Sequence, residues 1–274
     1  MSNIFAANLQ GGLQAVIIPD RFNPGSQVLI VDGTPQSQVD LDHPERLHFE
    51  YVRRIGNVID LFAPSGAPIT ALHLGAGALT LPRYIAATRP QSRQQVVELQ
   101  AELVDFVREH IPLPRTANIR LRYGDARSVV EKLPRGLHGN TDLIVSDIFS
   151  GADTPPHVTS VEYYQLLKPL LSPGGVLTIN IADGKGLNFG RACVATLAEV
   201  FEHTLVLSDS SLLKGHRVGN LVLVASNEPF PDEWYRLLQA AGPHPAKVMI
   251  DRELKNFSQS GQIIRDNTPY RGST

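Results

Sequence analysis

Four short stretches hold residues able to do chemistry, and each lies where a strand pattern gives way to a helical one. His73-Leu74-Gly75-Ala76-Gly77-Ala78 follows an apolar run and opens a helical pattern. Gly75 and Gly77 let the main chain approach a ligand, and the free N–H groups of a helix start favour a polar one. Glu98 ends the next run, Val96-Val97-Glu98, at the spacing expected of a carboxylate that grips ribose hydroxyls. In Tyr123-Gly124-Asp125-Ala126 the aspartate is placed to accept from an adenine amino group and to cap the helix starting at Ala126. Asp147 closes the run Asp142 to Asp147 at the carboxyl end of a strand, where open α/β sheets bind their ligands. A carboxylate there attracts a sulfonium and takes a proton from an attacking amine. The Gly- and Pro-rich stretch Ser150 to His157 reads as a loop closing over the site, with His157 itself a surface residue.

Positioning these groups requires alternating strands and helices. Apolar runs predict strands at Ile69–Leu74, Gln95–Leu99, Ile119–Tyr123, Leu143–Asp147, Val176–Ile181, Thr204–Leu207 and Asn220–Ala225. Helical patterns lie between most of them, at about 79–88, 101–110, 126–133, 160–171, 187–201 and 231–241. That rhythm predicts a doubly wound, Rossmann-like α/β fold with a mostly parallel seven-stranded sheet. The polar link Ser208 to Gly219 has no room for a good helix, so the last two strands are expected as an antiparallel hairpin at one edge. Residues 1–42 read as a small β-hairpin unit punctuated by Asn23-Pro24-Gly25 and Asp32-Gly33, and residues 43–274 as the nucleoside-binding domain. A helix over Pro44 to Phe62, capped by Asp42, joins the two. The tail after Asp251 is polar and is assigned no chemistry.

Composition narrows the function further. The chain has 274 residues, 42% apolar and 19% charged, with a formal net charge of −2, which argues against a broad basic face for nucleic acid. The single cysteine, Cys193, excludes an intrachain disulfide and reads as a small buried apolar group. No apolar run is long enough to cross a bilayer, and Met1 to Asn8 lacks the pattern of a secretory signal, so a cytoplasmic protein is expected. No His/Cys/Asp/Glu spacing suits zinc, so no metal is expected. A Gly-x-Ser-x-Gly elbow and a phosphate loop ending in Gly-Lys-Ser/Thr are both absent from the sequence.

With these residues assembled, the chain resembles the spermidine synthase (polyamine aminopropyltransferase) family, within the S-adenosylmethionine-dependent methyltransferase fold superfamily. The likeness runs from about Val28 to Ser226. It rests on Val31-Asp32-Gly33-Thr34-Pro35-Gln36, Leu74-Gly75-Ala76-Gly77, Val97-Glu98, Gly124-Asp125-Ala126 and Val145-Ser146-Asp147. Glu162-Tyr163-Tyr164-Gln165-Leu166-Leu167, Leu171-Ser172-Pro173-Gly174-Gly175 and Gly219-Asn220-Leu221-Val222-Leu223-Val224 continue it. The resemblance implies that Glu98 holds ribose, Asp125 the adenine, and that Asp147 is the catalytic carboxylate. It further implies that Gln36 and Tyr164 line the acceptor pocket, and that the protein is a homodimer.

Three positions depart from the family pattern. The aspartate of the glycine loop, which receives the donor's aminopropyl amine, is Ala78; the second aspartate after the catalytic one is Ser150; and the Tyr-His-Glu segment is His48-Phe49-Glu50. Burying cationic reactants without carboxylate partners costs several kcal/mol, about that of a broken buried ion pair, which argues against orthodox putrescine-to-spermidine synthesis. Asp153 and Glu50 are the carboxylates placed to substitute. The leading expectation is a transferase moving an alkyl group, aminopropyl or methyl, from decarboxylated or intact S-adenosylmethionine to a small amine acceptor. The alternative is a regulatory protein that binds an S-adenosyl nucleoside without turnover. A nicotinamide-dependent oxidoreductase ranks last, because it leaves Asp125, Asp147 and the Pro-Gly-Gly segment unexplained.

Overall fold

A computed structural model describes residues 4–151, 153–214 and 217–270; Ala152 of the site loop and part of the Ser208 to Gly219 link lie outside them. The amino-terminal unit is larger than the expected hairpin. Strands β1 (Phe5–Asn8), β2 (Gln14–Pro19), β3 (Ser26–Val31) and β4 (Thr34–Asp40) form a four-stranded antiparallel sheet. Alternation in β2 buries Ala15 and Ile17, which pack with Leu29 and Val39. Helix α1 (Glu50–Phe62) begins later than expected. The Asp40 carboxylate accepts from the amides of Asp42 and His43 and folds the preceding segment into a turn, so Asp42 caps no helix. Val52, Ile55, Val58 and Ile59 then give α1 one apolar face.

The central sheet is built from β5 (Thr70–Leu74), α2 (Thr80–Thr88), β6 (Arg93–Glu98), α3 (Ala101–His110), β7 (Asn118–Tyr123), α4 (Ala126–Val130) and β8 (Thr141–Ser146). It continues through α5 (Val161–Leu167), β9 (Leu171–Asp183), α6 (Asn188–Ala198), β10 (His203–Asp209), β11 (Gly219–Ser226), α7 (Asp232–Ala241), β12 (Ala246–Met249) and α8 (Asp251–Ser258). Its order is β12-β10-β11-β9-β8-β5-β6-β7, parallel from β9 to β7 and antiparallel beyond β9. β5 and β8 are buried on both faces and therefore read as near-continuous apolar runs. Leu72, Leu74 and Ile144 face the layer of α4, α5, α6 and α8, while Ala71, Leu143 and Val145 face α1, α2 and α7.

Two expectations about this sheet are corrected. It has eight strands among the described residues, and the β10–β11 hairpin is not at the edge. β11 pairs with β9, and β12 covers β10 with Val206 opposite Met249 and Leu207 opposite Val248. The polar tail also packs: Leu254, Phe257 and Ile264 enter the main core. No helix among the described residues is long and apolar enough to cross a membrane.

The strand order reverses between β5 and β8, because β6 and β7 extend to one side of β5 and β9 extends beyond β8 on the other. A crevice opens at their carboxyl ends, roofed by the amino-terminal sheet.

Candidate active site

The crevice encloses about 1420 Å³ and is lined by residues of β4, α1, the β5–α2 turn, the ends of β6 and β8, and the 148–157 loop. Gly75 takes φ +96°, and a β-carbon there would collide with the main-chain carbonyl of Asp147. Only glycine lets the first turn and the end of β8 meet this closely. The Ala78 amide donates to Ser37 Oγ at 3.1 Å, so β4 of the roof is tied directly to the glycine turn.

Asp147 sits at the meeting point. Its amide continues the ladder by donating to the Leu74 carbonyl at 2.8 Å. Asn180 Nδ2 donates to Asp147 Oδ1 at 2.8 Å, and Asn220 Nδ2 donates to Asn180 Oδ1 at 3.0 Å, forming a chain of oriented amides across β9 and β11. The Tyr51 hydroxyl, from the first turn of α1, lies close enough to this carboxylate to favour its charged form. Loss of hydration pushes the Asp147 carboxyl above the ordinary aspartate value; the Asn180 bond and the nearby Tyr51 hydroxyl oppose that rise without cancelling it. A carboxylate so placed is a stronger proton acceptor than one in water.

The other end of the crevice is equally ordered. Glu98 accepts from the amides of Ala76 at 2.9 Å and Gln100 at 3.0 Å, which aims its remaining lone pairs into the crevice. Asp125 caps α4 by accepting from the Ser128 amide at 2.9 Å, and Ala126 behind it is buried. Burial pulls the Asp125 carboxyl upward, but the Ser128 amide and His157 outweigh it and leave the carboxyl below its ordinary value. His157 Nε2 stands 2.7 Å from Asp125 Oδ2. Leu99, largely exposed, adds an apolar wall beside them.

Gly75, Gly77, Glu98, Asp125, Ala126 and Asp147 therefore line one crevice, together with Gln36, Glu50 and Asp153. Tyr164 does not join them. Ser160 caps α5, and the helix turns Tyr163 and Tyr164 into the core against Leu167, where Tyr164 is fully buried. The buried His73 bonds Gln94 at 2.9 Å beneath the turn, and burial lowers its pKa to about 4. Ala78 also points away from the crevice, into the apolar cluster of Ile17, Leu29 and Phe106. Tyr51 and Asn180 escaped the reading of the sequence, and His157 entered it only as a surface residue, without its bond to Asp125. Asn180 alone left a signal there, as an amide inside the apolar run Leu177-Thr178-Ile179-Asn180-Ile181.

The strand order and the glycine turn at its reversal define a doubly wound fold of the S-adenosylmethionine methyltransferase type. A human methyltransferase-like protein 13, solved with SAH, shares this fold at a TM-score of 0.54 and 18% identity, over 78% of this chain and 91% of that one. A probable spermidine synthase from Corynebacterium glutamicum is much nearer, with a TM-score of 0.87 and 30% identity over 98% of each chain. The chain belongs to the spermidine synthase family. A polyamine aminopropyltransferase of Vibrio vulnificus is 31% identical over 137 residues, 50% of this chain; the chain spans under half of that relative, 44% of its length. No family model matches.

Proposed function

We propose that the protein transfers an aminopropyl group from decarboxylated S-adenosylmethionine to a small amine acceptor, with Asp147 receiving the proton. The observation that carries this reading is the partly dehydrated Asp147 carboxylate, oriented by Asn180 beside Tyr51 in the crevice that also presents Glu98 and Asp125. Glu98 would take the ribose hydroxyls and Asp125 the adenine amino group in exchange for His157. Gly75 and Gly77 let the turn pack against the Asp147 carbonyl and Ser37 Oγ, which sets the edge of the crevice along which such a nucleoside can lie. The sulfonium carbon then comes to rest near Asp147.

The reaction is an in-line displacement. The lone pair of a neutral amine forms a bond to the carbon attached to sulfur. The carbon–sulfur bond breaks, its electrons pass to sulfur, and methylthioadenosine leaves uncharged. The new ammonium gives its proton to Asp147. Most of the acceleration would come from holding nitrogen, carbon and sulfur in line. Carboxylates outnumber the two arginines on the same walls, and Asp153 among them favours the entry of cationic reactants.

Methyl transfer from intact S-adenosylmethionine is the second reading, and Ala78 favours it. With Ala78 buried among apolar side chains, the glycine turn offers no carboxylate to an aminopropyl ammonium. Calorimetric titration with the decarboxylated and intact donors, followed by product analysis with amine acceptors, separates the two. Preference for the decarboxylated donor with release of methylthioadenosine supports aminopropyl transfer. Preference for the intact donor with release of S-adenosylhomocysteine replaces it with methyl transfer, and binding of neither removes both.

A further inference from the structure

Among the described residues three arginines are almost fully buried, and two of them are structural. Arg89 donates to the carbonyls of Ile59 at 2.7 Å, Ala63 at 2.9 Å, Pro64 at 2.9 Å and Ala67 at 3.0 Å, closing the carboxyl end of α1. Arg83 donates to the carbonyls of Pro112 at 2.8 Å, Ala78 at 3.1 Å and Ile111, joining α2 to the segment after α3. Arg83 has an acceptor at each guanidinium nitrogen and Arg89 at both terminal nitrogens, though not at Nε, and neither lines the active-site crevice.

Arg54 differs on each count. It lines the crevice. Its acceptors are Glu50 Oε2 at 3.4 Å and the Pro243 carbonyl at 3.3 Å, both beyond the roughly 2.7–2.9 Å of a good charge-assisted bond. Glu50 is itself 56% exposed, so its hold on the buried cation is weak. The neighbouring Arg217 is already paired with Asp209. A buried guanidinium with five donors and, among the described residues, two long bonds is costly unless something else completes it. Position tells what that is. Arg54 follows Tyr51 by three residues on α1, so the two share a helix face, about 4.5 Å apart along the axis. The Tyr51 hydroxyl lies close to Asp147.

We propose that Arg54 binds the carboxylate of a reactant whose reacting atom lies at Asp147, about one helical turn away. The inference rests on the transferase reading only in taking Asp147 as the reacting end. Two sources supply that chemistry: an acceptor bearing a carboxylate besides its amine, in place of a diamine, or the methionine carboxylate of intact S-adenosylmethionine. Either would displace Glu50 from the guanidinium.

The test is calorimetry on the whole chain with two matched pairs of probes. The first pair is 4-aminobutanoate and 1,4-diaminobutane, titrated into protein saturated with methylthioadenosine; the second is S-adenosylmethionine and its decarboxylated form. Arg54→Gln is expected to weaken the carboxylate-bearing member of one pair by at least about tenfold, a bidentate charged contact being worth that much, while its partner stays within about twofold. Loss in the first pair assigns the carboxylate to the acceptor, and loss in the second assigns it to the donor. Equal effects on both members of both pairs, or no binding of either carboxylate probe to the wild type, overturn the proposal. Glu50→Gln, at an exposed site, decides the matter should Arg54→Gln fail to fold. It removes the competing carboxylate and should tighten the same probe, and unchanged or weaker binding counts against the site. Carboxylate binding sensitive to Arg54, found alongside absent aminopropyl turnover, refutes aminopropyl transfer and leaves the Arg54 site standing.

Discussion

Replacing Asp147 by Asn separates catalysis from architecture, because almost every contact of the side chain can persist. An asparagine oxygen still accepts from Asn180 Nδ2, now at 2.8 Å from Asp147 Oδ1, and the neighbouring Tyr51 hydroxyl can accept from the new amide. What disappears is the proton acceptor. General-base assistance is worth about 10²–10⁴-fold, or about 3–5 kcal/mol of barrier, and turnover should fall by that factor. Stability should move the other way. Dehydration raises the folded-state pKa of Asp147 above its unfolded value, so the folded protein binds the proton more tightly. As pH rises from the unfolded value, about 3.9, through the folded one, the wild type loses stability that Asp147→Asn keeps. The variant should therefore melt higher than wild type at neutral pH, and the gap should close below the unfolded value. Initial-rate assays and melting curves at several pH values read both effects. Turnover within roughly threefold of wild type, or a deficit in melting temperature that persists into acid, would refute the reasoning.

Other perturbations test single contacts. Tyr51→Phe removes a hydroxyl that favours ionised Asp147, so the acidic limb of the pH–rate profile should shift to higher pH; an unmoved limb argues against the Tyr51 contact. Gly75→Ala forces a β-carbon against the Asp147 carbonyl at a positive φ, and the displaced turn should cost about 100-fold in turnover with little change in global unfolding. Arg89→Leu strands the buried carbonyls of Ile59 and Ala63 and should destabilise the fold by about 3 kcal/mol in denaturant titration, while rate per folded molecule stays constant.

Much of the parallel half of the sheet was legible in the sequence, because strands buried on both faces leave long apolar runs between glycine turns. The antiparallel margin was less so. β12 has four residues, Ala246–Met249, hemmed by Pro243 and Pro245, and its pairing with β10 is a tertiary choice that no local pattern announces. β1 is equally short, which concealed the four-stranded character of the amino-terminal unit. In the site, residues on strand ends could be ordered by spacing, since β6 and β8 deliver Glu98 and Asp147 to one rim. Tyr51 could not, because it reaches Asp147 from a separate helix whose start was misread by several residues. Tyr164 failed for the opposite reason. It sits at a position matched by family pattern, yet the rotation of α5 sends its ring into the core.

The roof contact between Ser37 and the glycine turn bears on how such proteins can be recombined. Residues 1–42 look like an interchangeable part, but their inner side shares one cluster with Ala78 and with Leu103, Phe106 and Val107 of α3. A chimera made by exchanging that segment alone would mate unmatched apolar surfaces and leave the Ala78 amide without its Ser37 acceptor. The smallest transplantable piece is therefore discontinuous: the amino-terminal sheet together with the glycine turn and the outer side of α3.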